Sequence, residues 1–314
     1  MKKQGKVKYD YEDYWFNFVL NTDPLKIKSV IKEECIVSNG LRIHLDIYGN
    51  NVNDRSIKNI IFIQGTSIYS RFYAEFCYNL FKSGFRVIAP DMIGHGLSEG
   101  KRGHFTMKKF TETIYDITTH IIEKYGDKIA IMGSSLGGIT SLYSVAYDSR
   151  LKAAICHNAA VFNEKAHKRI GKIKGVIKLF KPLVPFFAKI VPNLRFNVFT
   201  YLPKERLANS ELGFKIYDLF GNDKLLAYKY TLTSLRAQMT EPLAQPIENI
   251  QTPIMIINGD SDGLFSVEFM KEIFDRLRCR EKSLEILKGS AHFIFQENVK
   301  ESLSRIIPWL EKVL

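Results

Sequence analysis

Cysteine is scarce in this chain and follows no pattern. The 314 residues include four cysteines that form no CxxC pair, namely Cys35, Cys77, Cys156 and Cys279. Scattered cysteines of this kind argue against a disulfide framework and against a zinc site. We therefore predict a protein of a reducing compartment, the cytoplasm.

Long apolar runs are also missing. No run approaches the roughly 18–20 residues that are needed to cross a bilayer. The chain opens with basic residues, as a signal peptide does, but Asp10, Glu12 and Asp13 interrupt the place where an apolar region would follow. The sequence predicts neither a signal peptide nor a membrane-spanning helix.

Acidic residues are missing from one long segment, which lies between Glu164 and Glu205. This segment carries ten basic residues, whereas the rest of the chain is nearly neutral, although the net charge of the whole is +12. A basic character over the whole chain would indicate a nucleic-acid partner. Basic residues confined to one segment indicate a surface patch instead, so we expect no nucleic-acid partner.

Short apolar runs alternate with helical patterns along the chain. Residues 41–48 alternate apolar and polar side chains, as a half-buried strand does. Residues 283–289 are predicted as the last strand. The other runs are almost entirely apolar, which is typical of strands covered on both faces of a parallel sheet; they span residues 59–65, 85–91, 128–133, 152–158 and 253–260.

Helical patterns lie between these strands, at residues 70–83, 106–125, 136–148, 266–278 and 297–313. This alternation predicts an α/β fold with a mostly parallel, doubly wound sheet. Residues 162–245 have a helical pattern with no predicted strand, and we expect them to form a lid over the carboxyl edge of the sheet. Residues 29–161 and 246–314 would form the core, with residues 1–28 packed on it as an N-terminal helical extension.

A glycine-rich stretch follows one of the predicted strands. Its residues Gly133-Ser134-Ser135-Leu136-Gly137 match the motif G-x-S-x-G, with Ser135 at the centre. A nucleophile at the tip of a strand-to-helix turn has a strained backbone, and the residues two before and two after it must be small. Glycines flank Ser135 in this way and do not flank Ser134, so Ser135 is the candidate nucleophile. Glycine-rich turns also occur without catalysis, so the motif indicates a nucleophile only if a base and an acid accompany it.

A nucleophilic serine needs a histidine base and an acid that orients it. In sheets with this turn the acid and then the histidine follow the serine along the chain. His292 follows the last predicted strand, and the other six histidines are poorer candidates by position. Asp260 and Asp262 both follow the preceding strand. We favour Asp262, which lies on the loop, and keep Asp260, nearer the end of the strand, as the alternative. Aspartate is also a common turn residue, which is the non-catalytic interpretation of either position.

Backbone N–H groups complete the predicted site. The oxyanion of an acyl-transfer intermediate is stabilised by one N–H from the residue after the nucleophile and one from a loop after an earlier strand. Here these donors are predicted to be the N–H groups of Leu136 and Thr66.

With these motifs the chain resembles the α/β-hydrolase superfamily, and more narrowly its monoacylglycerol lipase and lysophospholipase branch. Residues 89–104, APDMIGHGLSEGKRGH, are similar to the family's D-x-x-G-H-G-x-S-x-G segment, in which Asp91 and His95 would be scaffold residues. The resemblance covers most of the chain from about residue 35.

The resemblance implies a role for each candidate. Ser135 matches the family's nucleophile and His292 its base. Asp262 matches its acid, three residues after Gly259, and Thr66 matches its first oxyanion donor.

Two positions depart from the family's pattern. The family usually has His-Gly in the oxyanion loop, where this chain has Gln64-Gly65. Many members have histidine before the nucleophile, where this chain has Ser134. Neither change removes a triad residue, but both affect the shape of the pocket and therefore the substrate.

The sequence thus predicts a serine carboxylic-ester hydrolase that acts through an acyl-enzyme and needs no metal or organic cofactor. Its expected partner is a small acyl ester, of monoacylglycerol or lysophospholipid type. An epoxide hydrolase or dehalogenase of this fold would have aspartate in place of Ser135. A peptidase or small-ester esterase stays open as an alternative, as does a non-catalytic binding module. An aminopeptidase would need acidic groups near its pocket, and the segment without acidic residues argues against one.

The predicted lid interleaves basic and large apolar residues, as in KGVIKLFKPLVPFFAKIVPNLRF at residues 174–196. A basic amphipathic segment binds anionic lipid surfaces, so we expect peripheral contact with an anionic membrane. A solvated basic face above an apolar pocket wall is the alternative.

Overall fold

The computed structural model describes residues 11–49, 54–170, 183–200, 202 and 204–314. Part of the predicted basic lid, including Lys174, Lys178 and Lys181, lies outside the described residues. The strands of the described chain are β1 (Ile31–Ser38), β2 (Leu41–Tyr48), β3 (Asn59–Ile63), β4 (Arg86–Pro90), β5 (Ile129–Ser134), β6 (Ala153–His157), β7 (Arg195–Asn197), β8 (Lys229–Thr231), β9 (Ile254–Gly259) and β10 (Lys282–Leu287).

The α-helices of the described chain connect or flank these strands. They are α1 (Pro24–Lys28), α2 (Ala74–Lys82), α3 (Met107–Lys124), α4 (Leu136–Tyr147), α5 (Val184–Ile190), α6 (Lys204–Leu207), α7 (Glu211–Leu219), α8 (Leu232–Thr240), α9 (Val267–Arg276), α10 (Ile294–Glu297) and α11 (Val299–Val313). The described chain also contains 3₁₀ helices, among them Tyr11–Phe18 with eight residues.

Eight strands form one sheet in the order β1-β2-β4-β3-β5-β6-β9-β10. The strands from β4 to β10 in this order pair in parallel, and β2 pairs antiparallel with both β1 and β4. The predicted fold, a mostly parallel α/β sheet with inserted helices, is confirmed. Its central strands read as continuous apolar runs because all residues of β3, β5 and β6 are buried.

The register of the parallel strands brings their carboxyl ends to one edge of the sheet. Ser134, at the end of β5, pairs with His157 at the end of β6, and His157 pairs with Ile257 of β9. The loops that follow these strands, which include Ser135 and Asp262, therefore leave the sheet side by side at this edge.

The prediction that residues 162–245 contain no strand is wrong. β7 and β8 pair antiparallel in a separate two-stranded sheet, with Phe196 opposite Tyr230. Each strand has only three residues, and all three residues of β7 are exposed. A segment this short, with no buried face on β7, leaves no alternation for a sequence pattern to detect.

The described part of the predicted N-terminal extension contains two short helices, a 3₁₀ helix and α1, where we expected one helix. Tyr11–Phe18 is a 3₁₀ helix, and Trp15 and Phe18 are buried. The ring of Phe18 packs edge-on against Phe72 at 4.8 Å between centroids. Residues 1–10 of the predicted extension lie outside the described residues. Across the described chain, no helix combines the length and apolar character that crossing a membrane requires.

Candidate active site

Ser135 lies at the turn between β5 and α4, with φ of 55° and ψ of −115°. A positive φ is uncommon for a residue other than glycine and marks a strained position. A Cβ at Gly133 would overlap the backbone of Gly137, and one at Gly137 would overlap the carbonyl of Ile63. The two glycines therefore let the turn fold tightly enough to expose the residue between them.

The two neighbouring serines lie in different surroundings. Ser134 is buried, and its Oγ lies 2.9 Å from Nδ1 of His157. Ser135 is half-buried and lines a cavity. Of the two hydroxyls, that of Ser135 faces the space that a substrate would occupy.

Asp262 lies on the loop after β9 and is surrounded by donors. Its Oδ1 accepts hydrogen bonds from the N–H groups of Leu264, at 2.8 Å, and Phe265, at 3.0 Å. Its Oδ2 accepts from Nδ2 of Asn158, at 3.1 Å, and is 2.8 Å from Nδ1 of His292. Burial alone would raise the pKa of Asp262, but His292 and the other donors lower it below its ordinary value.

Within the described chain Asp260, the alternative acid, makes no hydrogen bond to His292. It is exposed, and its Oδ1 accepts hydrogen bonds from the N–H of Gly289, at 2.8 Å, and from Oγ of Ser261, at 2.9 Å. It fixes the turn that carries the chain from β10 toward His292.

The hydrogen bond to Asp262 settles which nitrogen of His292 carries a proton. A carboxylate only accepts hydrogen bonds, so Nδ1 of a neutral His292 must be the donor, which leaves Nε2 as an acceptor. The ring also stacks on Phe265, with 6.0 Å between centroids and an interplanar angle of 8°. Within the described chain no hydrogen bond joins Ser135 to His292, although such contacts often tighten only when substrate binds.

A glycine allows the histidine loop to pass close to β9. A Cβ at Gly259 would overlap the carbonyl oxygens of Ser290 and Ala291. The loop before His292 therefore lies directly against the end of β9, which brings the histidine to the aspartate that follows this strand.

His157 and Asn158 are parts of the site that sequence reasoning missed. Both are buried at the end of β6, and Nε2 of His157 lies 4.0 Å from Oδ2 of Asp262. Burial and the neighbouring His292 lower the pKa of His157 to about 3. Asn158, at φ of 69°, donates to both Asp262 and Asn258. The available signal was the position of both residues just at the end of a predicted parallel strand.

Three of these side chains have the residue types of a metal site. The ligand atoms of His157, Asp262 and His292 lie within 4.8 Å of one another. Asp262 and His292 are already joined at 2.8 Å through the Nδ1 proton. A contact of this kind between a carboxylate and a histidine is the one that orients the imidazole base of a serine triad.

The predicted oxyanion donors line the same cavity as Ser135. The cavity has a volume of about 90 Å³. Its described walls are mostly apolar and come from both the core and the segment between β6 and β9; they are formed by Thr66, Ser135, Leu136, Ile139, Phe162, Ile170, Leu202, Gln238, Leu264 and Phe265. Among the described residues, neither the N–H of Thr66 nor that of Leu136 has a backbone acceptor.

Gln64 stands at the family's usual histidine position in the predicted oxyanion loop, and it is buried. In the amide orientation that satisfies both neighbours, its Nε2 donates to the carbonyl of Pro90, at 3.0 Å, and its Oε1 accepts from the N–H of Met92, at 3.1 Å. Gln64 therefore links the start of the predicted oxyanion loop to the end of β4 by two hydrogen bonds.

Comparison with known proteins places this chain in a family. The pattern of the serine aminopeptidase S33 family matches residues 54–299. The chain belongs to this family. The confirmed α/β-hydrolase fold and the predicted resemblance to monoacylglycerol lipases agree with this assignment.

Individual relatives and structures are similar along most of their length. A monoacylglycerol lipase of Mycolicibacterium smegmatis is 23% identical over 278 residues, which cover 86% of this chain and 93% of the relative. The human monoglyceride lipase is 21% identical, over 76% of this chain and 77% of its own. The crystal structure of a Paleococcus ferrophilus monoacylglycerol lipase superposes with a TM-score of 0.73 and 22% identity, covering 87% of this chain and 99% of that one. With the fold, these relatives support the predicted class of enzyme, a carboxylic-ester hydrolase.

Proposed function

We propose that this protein is a serine carboxylic-ester hydrolase whose nucleophile, base and acid are Ser135, His292 and Asp262. The observation that carries the proposal is the 2.8 Å contact between Nδ1 of His292 and Asp262, at the carboxyl edge where Ser135 lines a cavity. The strained turn at Ser135 supports it further.

The proposed mechanism follows from the proton positions. Nε2 of His292 accepts the proton of Ser135 as its Oγ attacks the ester carbonyl, and Asp262 stabilises the imidazolium that forms. The N–H groups of Thr66 and Leu136 stabilise the oxyanion, each by about 3–4 kcal/mol. His292 returns the proton to the leaving alcohol, and water then releases the acyl group from Ser135. No step requires a metal or an organic cofactor.

The proposed substrate is an ester with one acyl chain, such as a monoacylglycerol or a lysophospholipid. The apolar walls of the cavity match a hydrocarbon chain, and Gln238 is a polar side chain on the wall formed by α8. The names of the relatives, monoacylglycerol lipases, support the same substrate class.

An aminopeptidase is a second candidate, because the matching family carries that description. A peptidase that binds a free amino terminus needs a carboxylate to pair with the ammonium group. The described walls of the cavity contain no acidic side chain. This composition favours the ester hydrolase.

A panel of substrates tests the proposal. We expect the purified chain to hydrolyse monoacylglycerols, lysophospholipids or p-nitrophenyl esters and to leave aminoacyl p-nitroanilides intact. Cleavage of the anilides alone would assign the aminopeptidase. If no member of the panel were turned over, the protein would be a binding module that keeps the hydrolase fold.

We further propose that residues 162–245 form a lid that makes peripheral contact with an anionic membrane. Two features of the described lid support this proposal. Phe162, Leu202 and Gln238 line the cavity. In and around α5, large apolar side chains face solvent beside basic ones: Phe186 is 60% exposed and Ile190 61% exposed, with Lys189 between them. Apolar side chains that enter the interface and cations that meet anionic headgroups act together in such contacts.

A further inference from the structure

A buried chain of hydrogen bonds links the lid to the oxyanion loop. The N–H of Ser67, the residue after Thr66, donates to the hydroxyl of Tyr230 in β8 at 2.7 Å. That hydroxyl lies 2.9 Å from Nε2 of His95, whose Nδ1 is 3.1 Å from the carbonyl of Ile93. Ser67, Tyr230 and His95 are each at most 1% exposed, so water does not compete for these bonds.

The direction of each hydrogen bond in this chain is determined. The carbonyl of Ile93 can only accept, so Nδ1 of His95 carries the proton. Burial lowers the pKa of His95 to about 4, which keeps the ring neutral and leaves Nε2 as an acceptor. The hydroxyl of Tyr230 therefore donates to His95, and its oxygen accepts from Ser67. A phenylalanine in place of Tyr230 could do neither.

The lid holds Ser67 from its other side as well. The carbonyl of Ser67 accepts a hydrogen bond from the N–H of Ala227 at 2.7 Å. Ser67 has φ of 70°, a left-handed conformation that is unfavourable for serine and needs outside support. Both backbone polar groups of this strained residue are thus fixed by residues 227–230.

β8, the strand that carries Tyr230, also hydrogen-bonds to the loop that carries His95. The N–H of Thr231 donates to the carbonyl of Gly103 at 3.1 Å. A Cβ at Gly103 would overlap the carbonyl of Lys229, so a glycine is needed where β8 crosses this loop. The segment of residues 89–104 therefore contacts β8 through both Gly103 and His95, and β8 in turn contacts Ser67 of the oxyanion loop.

We propose that Tyr230 and His95 are positioning residues that hold the N–H of Thr66 in the oxyanion hole, so that catalysis requires the lid to be seated on the core. This inference rests on the proposed role of Thr66 in ester hydrolysis. Tyr230, itself held by His95, fixes the peptide between Thr66 and Ser67. This peptide adjoins the Gly65–Thr66 peptide, which carries the N–H of Thr66. If the first peptide were free to rotate, the second would lose its alignment with the developing oxyanion.

Tyr230→Phe is the direct test. It should lower kcat for a p-nitrophenyl ester by roughly 10- to 100-fold while KM changes by less than about twofold, since an oxyanion donor acts mainly in the transition state. Tyr228→Phe is the matched control, because the Tyr228 hydroxyl donates to the carbonyls of Phe220 and Asp223 within the same lid. This control should keep kcat near that of the parent.

A double-mutant cycle separates positioning from loss of stability. His95→Leu should reproduce the loss in kcat, and combining it with Tyr230→Phe should add almost nothing, because both break one chain of hydrogen bonds. His95→Gln should recover much of kcat, because its amide oxygen can accept from Tyr230. Melting temperatures of all variants would be measured alongside.

Two results would overturn the inference: a kcat of Tyr230→Phe no lower than that of Tyr228→Phe, or fully additive losses in the double mutant. The proposed function is judged separately, by whether the parent hydrolyses esters and Ser135→Ala does not. An active parent with an unaffected Tyr230→Phe variant would reject the positioning role alone.

Discussion

Ser134 and Ser135 are adjacent in the chain, but the turn between β5 and α4 sends their hydroxyls to opposite sides. Ser134 bonds to His157 beneath the site, and Ser135 opens to the cavity. The same holds for the two aspartates after β9, of which Asp262 points inward to His292 and Asp260 outward to Gly289. Within each pair, the proposed catalytic side chain faces the cavity or His292, and its neighbour makes a supporting hydrogen bond elsewhere.

Replacing each serine in turn should separate these roles. We expect Ser135→Ala to lower kcat by roughly 10⁴-fold or more, as removal of a nucleophile does. Ser134→Ala should keep most of the activity and cost about 1–3 kcal/mol of stability, because it leaves a buried nitrogen of His157 without a partner. Steady-state ester hydrolysis and thermal melting would measure both. An inactive Ser134→Ala beside an active Ser135→Ala would contradict the assignment.

The aspartates give a second matched pair. Asp262→Asn should lower kcat by roughly 10⁴-fold, because an amide can hold His292 in the wrong tautomer. Asp260→Asn should stay within about twofold of the parent, since Asp260 only supports an exposed turn. Equal losses in two folded variants would show that the acid has been wrongly assigned.

At the scale of elements, β1 shows why one edge strand of the sheet escaped prediction while the central strands did not. The central strands are buried on both faces and read as apolar runs, but most of β1 is exposed or half-buried. Its Glu34 is held by Lys124, at 2.6 Å, and Tyr125, at 2.7 Å, at the end of α3. Polar contacts between residues about 90 positions apart leave no local pattern in the sequence.

The candidate site shows the same division. Ser135, Asp262 and His292 could be predicted because each follows a strand and their order along the chain is informative. His157 and Asn158 also lie at the end of a predicted strand, but their contact with Asp262 could not be predicted, because it depends on β6 lying beside β9 in the sheet. No local motif in the sequence predicts the order of the strands in the sheet.

The contact of β1 with α3 gives a test that depends on pH. Burial would raise the pKa of Glu34, but hydrogen bonds from Lys124, Tyr125 and His120 lower it from 4.5 to about 2. The carboxylate therefore stabilises the fold above about pH 4.5, and this contribution is lost as the pH falls toward 2. We expect Glu34→Gln to melt a few degrees below the parent at pH 7, with a smaller difference at pH 4.

The matched control for this test is Glu123→Gln, an exposed glutamate near the same end of α3. Its melting temperature should equal that of the parent at both pH values. If Glu34→Gln melted with the parent at pH 7, the contacts of Glu34 would contribute nothing to stability.

At the scale of the whole molecule, the described surface around α5, within the proposed lid, exposes large apolar side chains to solvent. Phe186, Ile190 and Leu194 are each more than half exposed, and Lys189 and Arg195 lie among them. A solvated basic face would have no need of large apolar side chains in water. This surface supports the proposed contact of residues 162–245 with a lipid interface.

Vesicle sedimentation tests this account of the lid. The parent should sediment with phosphatidylserine-containing vesicles at low salt and less at high salt. The double variant Phe186→Ser, Ile190→Ser should bind much less, while Leu25→Ser, which removes an equally exposed apolar side chain outside the lid, should bind like the parent. Hydrolysis of a small soluble ester should be almost unchanged in all of them. A parent that never sediments at low salt would exclude the membrane contact.

The central claim is that Ser135 is an activated nucleophile, and covalent labelling tests it most directly. A fluorophosphonate reacts with a serine only where a base and an oxyanion hole activate it. We predict one phosphonate per chain, located by peptide mass spectrometry on Ser135, with labelling blocked by a monoacylglycerol and absent in Ser135→Ala. A parent chain that stays unlabelled, or carries the phosphonate on Ser134 or any other residue, would contradict the account.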